Sequence, residues 1–235
     1  MRHPLLDMWV LEEVFRFGVY KPPPHVLERL HAAPRPLRVL DLGGHAGYFG
    51  LYLSGLLEGV TILSLEPDPR NVRALRRCVE ANGLGATWEV IEAAAAANDG
   101  RADFESGFQL ARLSPRDDSL AQTHDALSVV FPFLAGSPML ETERVEVETR
   151  DVLPLLAEAD LVKMDIEGGE WEILGDPRFA GVDAAALVME YHPSDGDVKS
   201  AREAAQRHLA AAGYTAGADL PSHDAGLLWA WRGKT

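Results

Sequence analysis

Val39-Leu40-Asp41-Leu42-Gly43-Gly44-His45-Ala46-Gly47-Tyr48-Phe49 opens as a short apolar run, turns on an acidic residue and three glycines, and becomes apolar again. Residues 38–42 read as a buried strand and residues 48–57 as the helix that follows it. Glycines in such a turn let the backbone approach a ligand and adopt conformations that other residues avoid. The same rhythm continues along the chain, with strands expected at 61–65, 88–91, 145–149, 161–164, 186–190 and 227–231. Between them, Asp68 caps a helix that has Pro69 at its first position and Asn82-Gly83 at its end. A further helix, 198–212, stops at Gly213. Strands alternating with helices in this way give an α/β fold, a mostly parallel seven-stranded sheet with helices on both faces.

Two segments stand outside that rhythm. Residues 5–20 carry apolar residues at helical spacing and stop at Pro22-Pro23-Pro24, and a short helix follows at 25–31. Residues 1–36 therefore read as an N-terminal helical cap on one domain spanning 1–235. Residues 104–143 form an insertion too long to be an idle loop. It contains Phe108, Leu110, Phe131, Phe133 and Met139, with Arg112, Arg116 and His124 as polar groups, and is expected to supply an acceptor pocket or a lid.

The composition excludes several functions. The apolar fraction of 47% is ample for a core, and the formal charge of −14 disfavours phosphate backbones and anionic membranes as partners. Arg70, Arg73, Arg76 and Arg77 fit a solvated helix face. Cys78, the single cysteine, allows no internal disulfide and reads as a buried thiol. Asp7, Glu12 and Glu13 interrupt the first apolar stretch, so no secretory signal is expected, and the chain reads as cytoplasmic.

In an open α/β sheet, ligands bind beyond the carboxyl ends of the strands. Glu66 ends the second strand there, placed to accept hydrogen bonds from both hydroxyls of a ribose. With the glycine turn it describes a nucleoside site. A dinucleotide site normally reads Gly-x-Gly-x-x-Gly. Here the turn starts from Asp41 instead, and a carboxylate beside the loop suits a cofactor that carries an ammonium group. S-adenosyl-L-methionine is such a cofactor.

The fourth and fifth strands end in Asp165-Ile166-Glu167-Gly168-Gly169-Glu170 and Glu190-Tyr191-His192. Asp165 faces the crevice and is the first candidate for catalysis or substrate orientation. Glu167 and Glu170 either join it or occupy the first turn of a helix, where the dipole favours acids. His192 can take a proton from a substrate hydroxyl. His3, His25, His31 and His208 read as surface residues. A divalent cation held by Asp165 and Glu167 is another way to activate an acceptor, and oxygen ligation suits magnesium better than zinc. No metal ligand set is assigned.

The segments 39–49, Leu65-Glu66-Pro67-Asp68-Pro69 and Val162-Lys163-Met164-Asp165-Ile166-Glu167-Gly168-Gly169-Glu170 resemble the FkbM family of methyltransferases. The likeness runs over residues 10–192. It implies a Rossmann-like class I methyltransferase fold that moves a methyl group from S-adenosyl-L-methionine to a hydroxyl oxygen, in specialised metabolism or on sugars. The cofactor is expected against Asp41, Gly43, Gly44, His45, Gly47, Glu66, Pro67 and Asp165, and in this fold Ala93 and Ala94 leave room for adenine. The family usually has asparagine where this chain has His45, and both residues tolerate positive φ. The expected partner is a hydroxylated small molecule. A different S-adenosylmethionine reaction (N-methylation, cleavage or cyclisation), a nicotinamide-dependent oxidoreductase and a binding protein without turnover are the alternatives.

Overall fold

The computed structural model describes residues 8, 10–106, 143–193, 198–221 and 225–233. Its seven-stranded sheet has the order β3-β2-β1-β7-β8-β10-β9. In chain order these are β1 (Leu37–Leu42), β2 (Val60–Leu65), β3 (Trp88–Ile91), β7 (Leu161–Met164), β8 (Ala186–Tyr191), β9 (Thr215–Pro221) and β10 (Gly226–Trp231). The pairs β1–β2, β2–β3, β1–β7 and β7–β8 are parallel, and β10 is antiparallel to both of its neighbours.

Successive side chains on a strand point to opposite faces, so each central strand serves two cores. Val39, Leu161, Val188 and Trp229 pack with α1 (Pro24–Ala32), α2 (Tyr48–Leu56) and α3 (Pro69–Ala81). Leu40, Val162, Leu187 and Leu228 pack on the other face with α4 (Leu153–Glu158), α5 (Glu170–Gly175) and α6 (Val198–Ala211). Asp68 accepts the Arg70 amide at 2.7 Å with Pro69 at the helix start, as the sequence predicts. The N-terminal residues Val14, Tyr20, Val26 and Leu30 join the first of these cores beside Phe49 and Leu53. Glu12–Phe17 is a π-helical turn, so the expected helix over 5–20 does not continue as a regular α-helix.

Two strand assignments change. The expected strand at 145–149 is real and longer, as β6 (Glu143–Asp151), but it lies in a second sheet between β4 (Ala94–Ala96) and β5 (Gly100–Ser106). The place it would have filled in the main sheet belongs to β9, whose Thr-Ala-Gly-Ala-Asp-Leu-Pro carries little β propensity. The hairpin of β5 and β6 carries the two ends of the insertion. Ser106 donates to Asp68 Oδ2 at 2.8 Å, and Arg70 pairs with Glu143 at 3.3 Å. The insertion thus leaves and re-enters beside the residues that follow Glu66. Phe108, Leu110, Phe131, Phe133 and Met139 lie outside the described residues. Cys78 is half-buried rather than buried.

Candidate functional site

The glycine turn runs directly over the end of β7. Gly43 has φ +80°, and a Cβ there would stand 1.9 Å from the carbonyl oxygen of Asp165. No residue but glycine fits. His45 takes φ 48°, the positive value its residue type tolerates better than most. Gly44 and Gly47 rest against Leu75, so the turn is seated on α3.

Asp41 is fully buried under this turn. Its Oδ2 accepts the Ser64 hydroxyl at 2.8 Å, and Lys163 Nζ lies 3.6 Å from Oδ1, which accepts no hydrogen bond from the described residues. The Lys163 ammonium thus stands beside Asp41. Burial raises the Asp41 pKa, with Lys163 and Ser64 opposing the rise. Direct reach of Asp41 to a cofactor ammonium does not fit this burial, and its position suits support of the turn from below.

Glu66 is also buried, at 4% exposure. Oε1 accepts the Asp68 amide at 2.9 Å and Asn71 Nδ2 at 3.0 Å, while Oε2 accepts the His45 amide at 2.8 Å. A carboxylate oxygen has two lone-pair directions, so Oε2 retains one for a ligand. Burial pushes this carboxyl up to about 7, against the pull of the Asp68 and His45 amides and Asn71. Pro67 borders it half-buried, and Ala93 and Ala94 form a small, buried step at the end of β3.

Across Gly43 lies a charged cluster that the sequence identifies only in part. Lys163 is buried at mid-strand and donates to the carbonyls of Gly43 at 2.6 Å and Leu42 at 3.2 Å. It also stands 3.4 Å from Asp165 Oδ2, which accepts the Tyr20 hydroxyl at 3.1 Å. Burial opposes the charge on Lys163, but Asp165 and Asp41 outweigh it and raise its pKa. Burial likewise opposes ionisation of Asp165, yet Lys163, His192 and Tyr20 hold its pKa low. Burial and the Asp165 charge raise the Tyr20 hydroxyl well above the usual tyrosine range, so it stays a donor.

His192 sits between two carboxylates. Its Nδ1 is 3.0 Å from Glu170 Oε1 and its Nε2 is 3.3 Å from Glu167 Oε2. Two acceptors require a proton on each ring nitrogen. Burial opposes that charge, but the Glu170 hydrogen bond and Glu167 push the pKa up to about 10. Both ring nitrogens of His192 thus face carboxylates, and its part in proton transfer belongs to the proposed function. Glu170 opens α5, fully buried, and accepts the Ile166 amide at 3.1 Å and the Gly168 amide at 2.8 Å. Glu167 precedes the helix at φ 54°, outside its first turn. Burial and the Asp165 charge push Glu190 up to about 8.

Asp165, Glu167 and His192 thus lie in one cluster. Lys163, Tyr20 and Glu190 were missed. A lysine inside the apolar run 161–164, and a glutamate inside 186–191, are the signals, since buried charges are paired or functional. Nothing in the sequence pattern connects Tyr20 to Asp165.

A parallel sheet with one antiparallel strand near its edge, carrying a glycine turn and acids at adjacent strand ends, defines a class I methyltransferase fold. The methyltransferase FkbM domain matches residues 41–216, and the chain belongs to that family of methyltransferases. Methyltransferase 1 of Beauveria bassiana (strain ARSEF 2860) is 26% identical over 176 residues, covering 70% of this chain and 68% of that protein. Among solved structures, precorrin-6y C5,15-methyltransferase from Geobacter metallireducens GS-15 aligns at TM-score 0.48 and 14% identity, covering 89% of this chain and 86% of that one. The O-methyltransferase NcsB1 from neocarzinostatin biosynthesis, with S-adenosyl-L-homocysteine and 1,4-dihydroxy-2-naphthoic acid, aligns at TM-score 0.48 and 11% identity, over 97% of this chain and 57% of that one. No helix among the described residues is long and apolar enough to cross a membrane.

Proposed function

We propose that this chain binds S-adenosyl-L-methionine between the glycine turn and Glu66, and methylates a hydroxyl oxygen of a small molecule held at the ends of β7 and β8. The carrying observation is the contact of Gly43 with Asp165, which makes the cofactor turn and the charged cluster one wall of one crevice. The residues fit the cofactor: Oε2 of Glu66 retains an acceptor direction for a ribose hydroxyl, and Ala93 and Ala94 leave space for a flat ring.

When bound, the sulfonium supplies an electrophilic methyl group for in-line displacement by the acceptor oxygen. The chain's own task is to align the acceptor, for which positioning can contribute roughly 7–11 kcal/mol. Asp165, held ionised by Lys163 and Tyr20, receives the hydroxyl proton as the oxygen–carbon bond forms. His192, held between Glu167 and Glu170, positions that carboxylate. The net negative surface favours small acceptors over nucleic acid. Recognition of the acceptor falls to the insertion, whose ends are tied to Asp68 and Arg70 at the rim of this crevice.

The test is incubation with methyl-labelled S-adenosyl-L-methionine and a panel of hydroxylated metabolites, with the labelled carbon located by NMR. Label on an ether oxygen supports the reading. Label on nitrogen, or cofactor cleavage without transfer, replaces it.

A further inference from the structure

We propose that Asp165, Glu190 and His192 form a binding site for one divalent first-row metal ion, of the manganese type, at the carboxyl ends of β7 and β8. The two strands are parallel neighbours in register at Met164 and Met189, which brings the next residues along, Asp165 and Glu190, side by side. His192 follows Glu190 by two positions and so returns to the same side of the chain. One donor atom from each residue lies within 4.8 Å of the others. Ligands on a shell of about 2.0–2.2 Å radius stand at most about 4.4 Å apart, so small side-chain adjustments close the set.

A second feature, outside the three ligands, aims the imidazole. Glu170 is buried, with both oxygens held by the backbone amides of Ile166 and Gly168, and it accepts from His192 Nδ1. That leaves Nε2 facing the carboxylates. A carboxylate behind the outer ring nitrogen is the arrangement that orients metal-bound histidines and fixes their tautomer. Nε2 now pairs with Glu167, and on binding it exchanges its proton and that partner for the ion.

The remaining donors leave room for the ion. Tyr20 and Lys163 both address Oδ2 of Asp165, and its Oδ1 accepts none of the described hydrogen bonds. The Glu190 carboxylate accepts none from the described residues either. Among the described residues, Lys163 and His192 are the basic groups that act on Asp165 and Glu190. Oxygen ligands suit magnesium and manganese, while imidazole suits the later first-row ions, and manganese accommodates both. Rather than Asp165 with Glu167 alone, which the sequence singles out, the set spans two strands and includes nitrogen. Its use in ionising the acceptor hydroxyl rests on the function proposed above; binding of the ion does not.

The experiment is a Mn2+ titration of the metal-stripped full chain followed by EPR, with pulsed detection of bound nitrogen. One saturable site with a directly bound 14N is expected. Glu190→Gln should weaken it by at least about tenfold, His192→Gln should remove the nitrogen coupling, and Glu80→Gln on the exposed face of α3 should change neither. Competition by Mg2+ and Zn2+ ranks the ions. A wild-type chain with no saturable site at millimolar Mn2+, or with a site lacking nitrogen coupling, overturns the proposal, and this holds even where a variant fails to fold. Neither cofactor nor acceptor is present, so failure of methyl transfer leaves this result standing. Methyl transfer in a chain that binds no Mn2+ would sink the metal site alone.

Discussion

Lys163 donates its ammonium to the carbonyl oxygen of Gly43 at 2.6 Å, tying the middle of one strand to the turn that leaves another. The same group balances Asp41 and Asp165 on either side. Lys163→Met removes the cation and leaves two buried or half-buried carboxylates uncompensated. Losing one partner of such a network costs about 3–5 kcal/mol. Urea unfolding of this variant should show a fall of that size, with weaker cofactor binding beside it. An unchanged midpoint would mean that the ammonium is not what holds the turn.

Gly43→Ala should be the most disruptive small substitution in the turn. It combines φ +80° with a Cβ 1.9 Å from backbone that cannot swing away. Gly55 offers the comparison, because it lies in α2 with open space around it. Gly55→Ala should stabilise by roughly 0.5–1 kcal/mol through helix propensity. Thermal unfolding of the pair checks both signs, and a neutral Gly43→Ala would remove the close approach from the account.

The sequence carries most of the sheet, since short apolar runs mark β1, β2, β3, β7, β8 and β10 within a residue or two. It does not carry β4, whose three alanines favour helix intrinsically and become a strand only by pairing with β6. Nor does it carry β9, which is built by the docking of its neighbour β10. The site was legible where chemistry lies in a local motif, as at Glu66 and Asp165. It was not where contacts are non-local: Tyr20 reaches Asp165 from 145 residues away. The state of His192 depends on Glu170, which reads equally well as a simple helix-start acid.

Glu66 gives the protein a pH signature. Its carboxyl is raised from 4.5 to about 7 by burial. Its contribution to stability is thus full below pH 4.5, where both folded and unfolded chains keep the proton, and is lost as pH rises toward 7. The loss can reach about 3 kcal/mol. Ribose hydroxyls favour the anion, so cofactor affinity should rise as pH passes from 6 to 8. Glu66→Gln should flatten both dependences in calorimetric and denaturation series. A parallel pH trend in that variant would assign the effect elsewhere.

Asp165→Asn should separate turnover from binding. Removing the proton acceptor should lower the methyl-transfer rate by about 10²–10⁴-fold. The cofactor's dissociation constant should change far less, since Glu66 and the turn are untouched. Rate and calorimetric measurements on one preparation decide it, and full turnover in the variant would end the catalytic role of Asp165.

The central claim, that the turn from Asp41 to Gly47 and the carboxylate of Glu66 form the S-adenosyl-L-methionine site, is tested most directly by titrating S-adenosyl-L-homocysteine into the wild type and Glu66→Ala in a calorimeter. Each hydrogen bond to a charged group contributes about 1.5–3 kcal/mol, so the variant should bind at least about tenfold more weakly. The wild type should show one site and no heat with a nicotinamide dinucleotide. Equal affinity in the two proteins, or binding of the dinucleotide in place of the homocysteine, would contradict the account.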